Sequence, residues 1–545
     1  MDKERGVSRT LCWLGIIVFC FCCSYGAVDA PLAAQPPAAT KKSESAPPAT
    51  GQPKKPGATT SAKDAEEAAA KKAQADDEWS VIYMGKIRMG AIRSNSRDIV
   101  RDGKKLIRSE SQSMMLIKRF GQELKMNITI TSEETPEGDL IGLESHNDNP
   151  PNSFSKTTGK VVGSELELFI DSAGKRSKKT LKWDPEMRSP AYQDRMLREN
   201  PLKAGESREF KTFMPEMNQI ATVTLKEKGE EEVKLFDGSS QKLKRIDITQ
   251  SILPGFVTKT WVNPNGDTLK SSTPGFFGSD MTTYRVTKEE ALRQVVGAEL
   301  DIAIDTLIKI DPPLQRAHET QQVVYVVKIN GGDPTKDLPS GNTQQLKSVG
   351  PETAEMTVTA IRPPERPTKE IAAPEYSLPN RYLQSDDKQV IAHAEAAAAG
   401  SSKPWEVAVK MEKYVHDKLT KKNFSTALAS AAEVAKSMEG DCTEHACLLA
   451  AMCRVKNIPS RAVVGLVYAD RYSAFGGHMW TEVFIDGTWI PIDATLGQGG
   501  IGAAHIKVSD TSFSDDGPDA KTSFLPILKI IGNTTLKVKT VQYRQ

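Results

Sequence analysis

Beyond residue 23 the chain is nearly free of cysteine. Four of its seven cysteines, Cys12, Cys20, Cys22 and Cys23, sit near the start, and only Cys442, Cys447 and Cys453 follow. Three thiols in one short stretch exclude a disulfide scaffold. The 7 histidines are scattered, with no H-x-x-x-H and no cysteine–histidine cluster, so no structural or catalytic zinc and no cofactor is expected. An excess of one charge is also missing. Lys and Arg number 72 against 70 Asp and Glu, interspersed, and nothing points to nucleic acid as a partner. Apolar runs are short, the main one being residues 11–23.

That run follows Lys3, Arg5 and Arg9 and precedes Ser24-Tyr25-Gly26-Ala27, giving the charged, apolar and small-residue regions of a secretory signal over residues 1–30. Its core is short for a membrane span. Export with cleavage is therefore the first expectation, to the periplasm, cell surface or medium, and an uncleaved membrane tether the second. Phe19 and Phe21 do not suit a lipobox. Residues 31–78 are rich in Pro, Ala and Lys, lack the side chains to build a core, and read as a linker.

From 79 to about 300 the pattern alternates with period two. Strands are expected at Met126–Ile130, Val161–Ile170, Ile220–Leu225, Val233–Phe236, Ile246–Ile248 and Val257–Val262, with Asn265-Gly266 as a hairpin turn. The result is a large antiparallel β-rich domain, a curved sheet or half-barrel, which could dock a partner or act as a spacer. Thr287-Lys288-Glu289-Glu290 reads as a capping box opening a helix to about Val296. Alternating Ile302, Ile304, Ile308 and Ile310 read as a strand. With Val323–Ile329 and Met356–Ile361 they make a small β module over 301–375, ending in the prolines 363, 364 and 367. In the last region, 376–545, one helix runs from Ser385 to Gly400 and another from Pro404 to about Leu419.

The chemistry gathers after residue 440. Asp441 and Glu444 form a capping box that puts Cys442 at the first position of a helix, where exposed N–H groups and the dipole favour a thiolate. Leu448, Leu449, Met452 and Val455 recur at helical spacing, and Pro459 stops the helix. Cys447 and Cys453 read as packing residues. His445 lacks an orienting partner and is expected in a surface or packing role. Downstream, 481–492 reads as a hairpin about Asp486-Gly487, pairing Ile485 with Thr488, Phe484 with Trp489 and Glu482 with Pro491. Extending that ladder pairs Trp480 with Asp493 and His478 with Thr495. Asp493 then becomes the diagonal neighbour of His478, within reach of an imidazole–carboxylate bond. Cysteine, histidine and aspartate are what a thiol nucleophile, its base and an orienting group require. Trp480 and Tyr472 are candidates for the wall of a substrate cleft.

Four blocks together resemble the transglutaminase-like superfamily of cysteine enzymes. They are Gly440-Asp441-Cys442-x-Glu444-x-Ala446-x-Leu448-Leu449, Ile458-Pro459-Ser460-Arg461, His478-x-Trp480-x-Glu482-Val483, and Gly487-Thr488-Trp489-Ile490-Pro491-Ile492-Asp493-Ala494-Thr495. The resemblance covers roughly 380–510. Asn457 stands where the family commonly has glycine, and Ala494 where it often has proline. The resemblance implies a papain-related α+β catalytic domain with Cys442 as nucleophile, His478 as base and Asp493 as orienter. The expected activity is thioester chemistry on protein or peptide amides, with hydrolysis ahead of glutamine–lysine cross-linking. A non-catalytic scaffold that keeps the fold is the rival from another class.

Overall fold

The computed structural model describes residues 77–544, apart from 150–152, 173–174, 277, 294–299, 364–369, 425–427 and 518–519. The signal-like segment 1–30 and nearly all of the 31–78 linker lie outside the described residues. No helix among the described residues is long and apolar enough to cross a membrane.

Inward-facing apolar residues alternate with outward polar ones along the N-terminal strands, as in Met126, Ile128 and Ile130, all buried. Between Glu78 and Val286 this alternation builds a 15-stranded sheet. Each strand pairs its neighbour along the chain, and the first, Glu78–Met84, pairs antiparallel with the last, Ser279–Val286. The meander thus closes on itself except at a seam between Lys175–Lys182 and Met187–Arg188. At that seam the free strand carries the sequence KRSKKTLK, whose charges discourage edge-to-edge pairing. The expected half-barrel is therefore a nearly closed, barrel-like sheet.

Several local expectations are corrected. Val161–Ile170 is two strands, Ser153–Val162 and Glu165–Ser172, turning at Gly163 with its φ of +61°. The stretches 220–225 and 233–236 are largely one long strand, Gln219–Lys234. The Thr287-capped helix spans Lys288–Leu292, and the rest of its expected length falls mostly on residues outside the description. Ile302 and Ile304 lie in a short helix, Ile302–Asp305, because Asp301 caps the Ala303 N–H and overrides the β-preference of alternating isoleucines.

The stretch expected as a separate β module instead shares one sheet with the C-terminal strands. In that 9-stranded sheet the order is Gln344–Gly350, Thr353–Thr359, Thr320–Ile329, Thr534–Tyr543, Ile308–Asp311, Ala474–Ile485, Ser460–Ala469 and His505–Thr511, with Thr488–Ile492 paired to Ala474–Ile485. The helices Lys388–Ala398, Pro404–Lys418 and Ala431–Ser437 surround a fourth, Cys442–Val455, which packs on the Ala474–Ile485 strand. That fourth helix is buried on nearly every side, as its run of alanine, leucine and cysteine predicts.

A hairpin tip is one of the places where the barrel and the C-terminal region are tied. Arg119 pairs with Gln122 across the two-residue turn Phe120-Gly121, where both φ angles are positive. The Asp301 carboxylate accepts the Phe120 N–H at 3.0 Å and the Gly121 N–H at 2.7 Å. Phe120 also packs against Phe424 with the rings tilted and their centroids 4.9 Å apart, and Gln122 Oε1 accepts the Phe424 N–H at 3.0 Å.

Candidate active site

Cys442 is the first residue of its helix, behind a complete capping box. Asp441 Oδ1 accepts the Thr443 N–H at 2.9 Å, and Glu444 Oε2 accepts the Asp441 N–H at 2.9 Å. Gly440, with φ +150°, leads into the cap, and a Cβ there would lie 2.3 Å from that of Glu444. The helix ends through Asn457, whose φ of +57° is a left-handed conformation that asparagine tolerates nearly as glycine does. Cys447 and Cys453 are buried and free, and burial pushes both thiols upward, so they stay protonated packing residues.

The hairpin forms in the expected register, with Ile485 opposite Thr488, Phe484 opposite Trp489 and Glu482 opposite Pro491. It stops at Thr481 opposite Ile492, so the extrapolated pairs Trp480–Asp493 and His478–Thr495 do not form. Asp493 leaves the ladder, yet its side chain still reaches the imidazole. His478 Nε2 lies 2.8 Å from Asp493 Oδ2.

A second imidazole converges there. His505 Nε2 is 3.1 Å from the same oxygen, and the other oxygen, Oδ1, accepts the Thr495 N–H at 2.8 Å. The histidines scattered in sequence thus do cluster in space. The ligand atoms of His478, Asp493 and His505 lie within 4.8 Å of one another, close enough to share a metal ion. Their nitrogens, however, already share one carboxylate oxygen through hydrogen bonds, and all three residues are buried. His318 approaches from the turn Ala317–Glu319, its ring 5.9 Å from His505, and burial holds it down to about 4.

Charge is apportioned by this geometry. Burial alone pushes His478 down, but the Asp493 carboxylate and the nearby Cys442 side chain raise it to about 10, while Nδ1, the nitrogen that Asp493 leaves unused, makes no hydrogen bond within normal geometry. Burial likewise opposes ionisation of Asp493, and the two histidines outweigh it, holding the carboxyl well below its ordinary range. Burial lowers His505, against the opposing pull of the Asp493 carboxylate. In a dry site these attractions are stronger than they would be in water. Cys442 is 1% exposed, His478 0% and Asp493 1%.

Trp480 is buried, stacked beside His478 with ring centroids 6.2 Å apart and edge-on to His505 at 5.2 Å. Its place is made by Gly465, opposite His478, where a Cβ would lie 2.6 Å from the indole and 2.2 Å from the Ile506 carbonyl. Tyr472 lies in the turn Asp470–Tyr472, just before the start of the His478 strand, with Arg471 over its ring at 5.6 Å.

Other contributors were not anticipated. Glu412, on the Pro404–Lys418 helix, accepts the Asp493 N–H at 3.0 Å and the Gly500 N–H at 3.1 Å, and His416 one turn on meets the Thr495 carbonyl at 3.1 Å. Burial raises Glu412 to about 7. His445 is buried, not at the surface. Its Nδ1–H donates to the Asp441 carbonyl at 2.6 Å, and its Nε2 lies 3.4 Å from Lys422 Nζ. The signal for Glu412 was available, since it falls on the buried stripe of Val407, Ala408, Met411 and Val415. His505, at the start of a distant strand, had none.

Residues 391–494 match the pattern of the transglutaminase-like superfamily. No curated protein matches the chain. Solved structures that match part of the chain include the following three. A protein from Cytophaga hutchinsonii described as a candidate cysteine protease is 14% identical, with 41% of this chain and 87% of that one covered and a TM-score of 0.25. A barrel-like protein of unknown function from Brucella abortus is 10% identical, with coverages of 38% and 96% and a TM-score of 0.28. A candidate protease from Parabacteroides distasonis is 13% identical, with coverages of 63% and 64% and a TM-score of 0.18.

Proposed function

With a transglutaminase-like core at residues 391–494 as the premise, we propose that the protein is a cysteine-nucleophile enzyme acting on amide bonds of proteins or peptides. Hydrolysis is its first activity, and transfer of the acyl group to an amine its alternative. The observation that carries this reading is the imidazole of His478, bonded to Asp493 through Nε2 and with its other nitrogen, Nδ1, left unpaired in a site that feels the charge of the Cys442 side chain. An α+β layout of the papain-related kind accompanies it, with the Cys442 helix laid on the His478 strand.

Cys442 rests as a thiolate beside protonated His478. The sulfur attacks the amide carbonyl carbon, forming a C–S bond and placing the electron pair on oxygen. The Cys442 backbone N–H, at the first helical position, donates to that oxyanion. As the C–N bond breaks, His478 gives its proton to the leaving amine. Asp493 holds the ring in the orientation that allows both acts. Water, deprotonated by His478, then attacks the thioester and releases the acid and the thiolate. An amine taking the place of water gives a new amide instead. Trp480 stacks beside the imidazole and limits its rotation. The reading includes export, on the strength of residues 11–23 and the basic residues before them.

The test is a panel of peptides and amines offered to the purified protein, with cleavage, ammonia release and cross-links scored separately. Wild type turns over one class and Cys442→Ala none. Full turnover by Cys442→Ala, or a Cys442 inert to iodoacetamide at neutral pH, would overturn the proposal in favour of a scaffold.

A further inference from the structure

The residue before the nucleophile is an anion. Asp441 is required as the helix cap, but a carboxylate one residue from a thiolate opposes it, the more so away from water. The structure answers this with a cation from the other region of the molecule. Arg119, the last residue of the barrel strand Lys104–Arg119, is 1% exposed and forms an ion pair with Asp441, itself equally buried. A guanidinium is seldom buried so completely without a specific anion to meet.

The other groups around the thiol are accounted for. His478 is engaged with Asp493, and His505, lowered by burial, meets the same carboxylate. Burial raises Glu444 well above its ordinary value, and its oxygens accept the Ala429 and Asp441 N–H groups. His445 is pushed down to about 3 and donates to the Asp441 carbonyl. Lys422, lowered by burial, keeps a favourable interaction with Cys442 and with Asp441. Its segment is pinned by the same barrel hairpin, through Phe120 on Phe424 and Gln122 on the Phe424 N–H.

We propose that the barrel completes the active site, with Arg119 a positioning residue that neutralises the Asp441 cap and so preserves both the helix start and the Cys442 thiolate. This rests on the reading of Cys442 as nucleophile. It gives the N-terminal region a role in the chemistry, beyond that of a spacer.

The experiment measures the rate of Cys442 alkylation by iodoacetamide against pH, together with turnover and melting temperature, in the full chain and three variants. In Arg119→Gln the midpoint of the alkylation profile rises by about one pH unit, so at pH values below the wild-type midpoint the rate falls about tenfold. Arg119→Lys, which keeps the charge but not the fork, lies between that variant and wild type. The double variant Arg119→Gln/Asp441→Asn removes both charges, keeps their shapes, and returns the midpoint to within about 0.3 unit of wild type. A melting temperature that falls while the midpoint stays put makes Arg119 merely structural and overturns the inference. So does a double variant as impaired as Arg119→Gln. Failure of the functional reading looks different: wild-type Cys442 is then unreactive, or Cys442→Ala keeps its turnover.

Discussion

In the barrel every strand from Glu78–Met84 to Glu165–Ser172 hydrogen-bonds to the next strand of the chain, whereas in the C-terminal sheet Ile308–Asp311 lies between Thr534–Tyr543 and Ala474–Ile485. One region is built by repetition and the other by convergence. Repetition spreads stability over many equivalent cross-strand pairs, so most barrel positions are expected to matter for folding alone. Convergence brings Arg119, Glu412, Cys442, His478, Asp493 and His505 together from six separate segments, so a change in any of them is expected to reach the chemistry. The hairpin at Phe120-Gly121 is one place where the two kinds of construction meet, and Arg119 belongs to both.

The largest effect is expected at Asp493. Replacement by Asn keeps the size but removes the charge that holds His478 and the acceptor shared by two imidazoles. Turnover then falls by about a thousandfold or more, with substrate affinity changed only slightly, as when the orienting acid of a catalytic triad is neutralised. Steady-state kinetics of Asp493→Asn against wild type checks this. A loss below about tenfold would mean that the carboxylate serves packing, and the contrast between the regions would weaken.

The barrel supplies the opposite case. Leu166 is wholly buried among Leu168, Ile170, Trp183 and Phe213. Leu166→Ala should destabilise by about 2–5 kcal/mol, from lost burial and the cavity left behind. Denaturant unfolding measures that, and the alkylation rate of Cys442 in the still-folded protein is expected to match wild type. A slowed rate would show that the barrel core and the site are one energetic unit, and that Arg119 is only the most visible of many couplings.

The same contrast explains what could be read from the chain. Capping of Cys442, the Asp486-Gly487 turn and its register are fixed by residues a few positions apart, and they are found as expected. Alternation gave the β character of 79–300, but its closure depends on Glu78–Met84 meeting Ser279–Val286, a contact no local pattern encodes. The module expected at 301–375 failed for a related reason, since its strands are completed by residues near the C-terminus. Arg119 did leave a trace. It continues the inward-facing series Ser113, Met115 and Ile117, a place where a cation demands a buried anion. Only coordinates could say that the anion is the cap of the Cys442 helix.

The smallest expected effect concerns the support beneath Asp493, and it separates two carboxyls by the sign of their pH dependence. Burial raises Glu412 to about 7 from an ordinary value of 4.5, so the unfolded chain loses this proton before the folded one does. Its contribution to stability is complete below pH 4.5 and declines as pH climbs toward 7. Asp493, held below its ordinary 3.8, behaves in the reverse way, supporting the fold above that value and failing as pH drops beneath it. Glu412→Gln keeps a carbonyl for the Asp493 N–H and removes the titration. Between pH 4.5 and 6.5, below the ordinary value of 6.5 at which His478 begins to contribute its own decline, the stability of the variant relative to wild type should rise by up to about 3 kcal/mol. Chemical denaturation at a series of pH values reads this difference directly. A constant difference over that window would show that Glu412 is already ionised beneath the site, in which case the convergent region tolerates a second buried negative charge at Asp493 and its electrostatic economy is looser than the barrel contact at Arg119 implies.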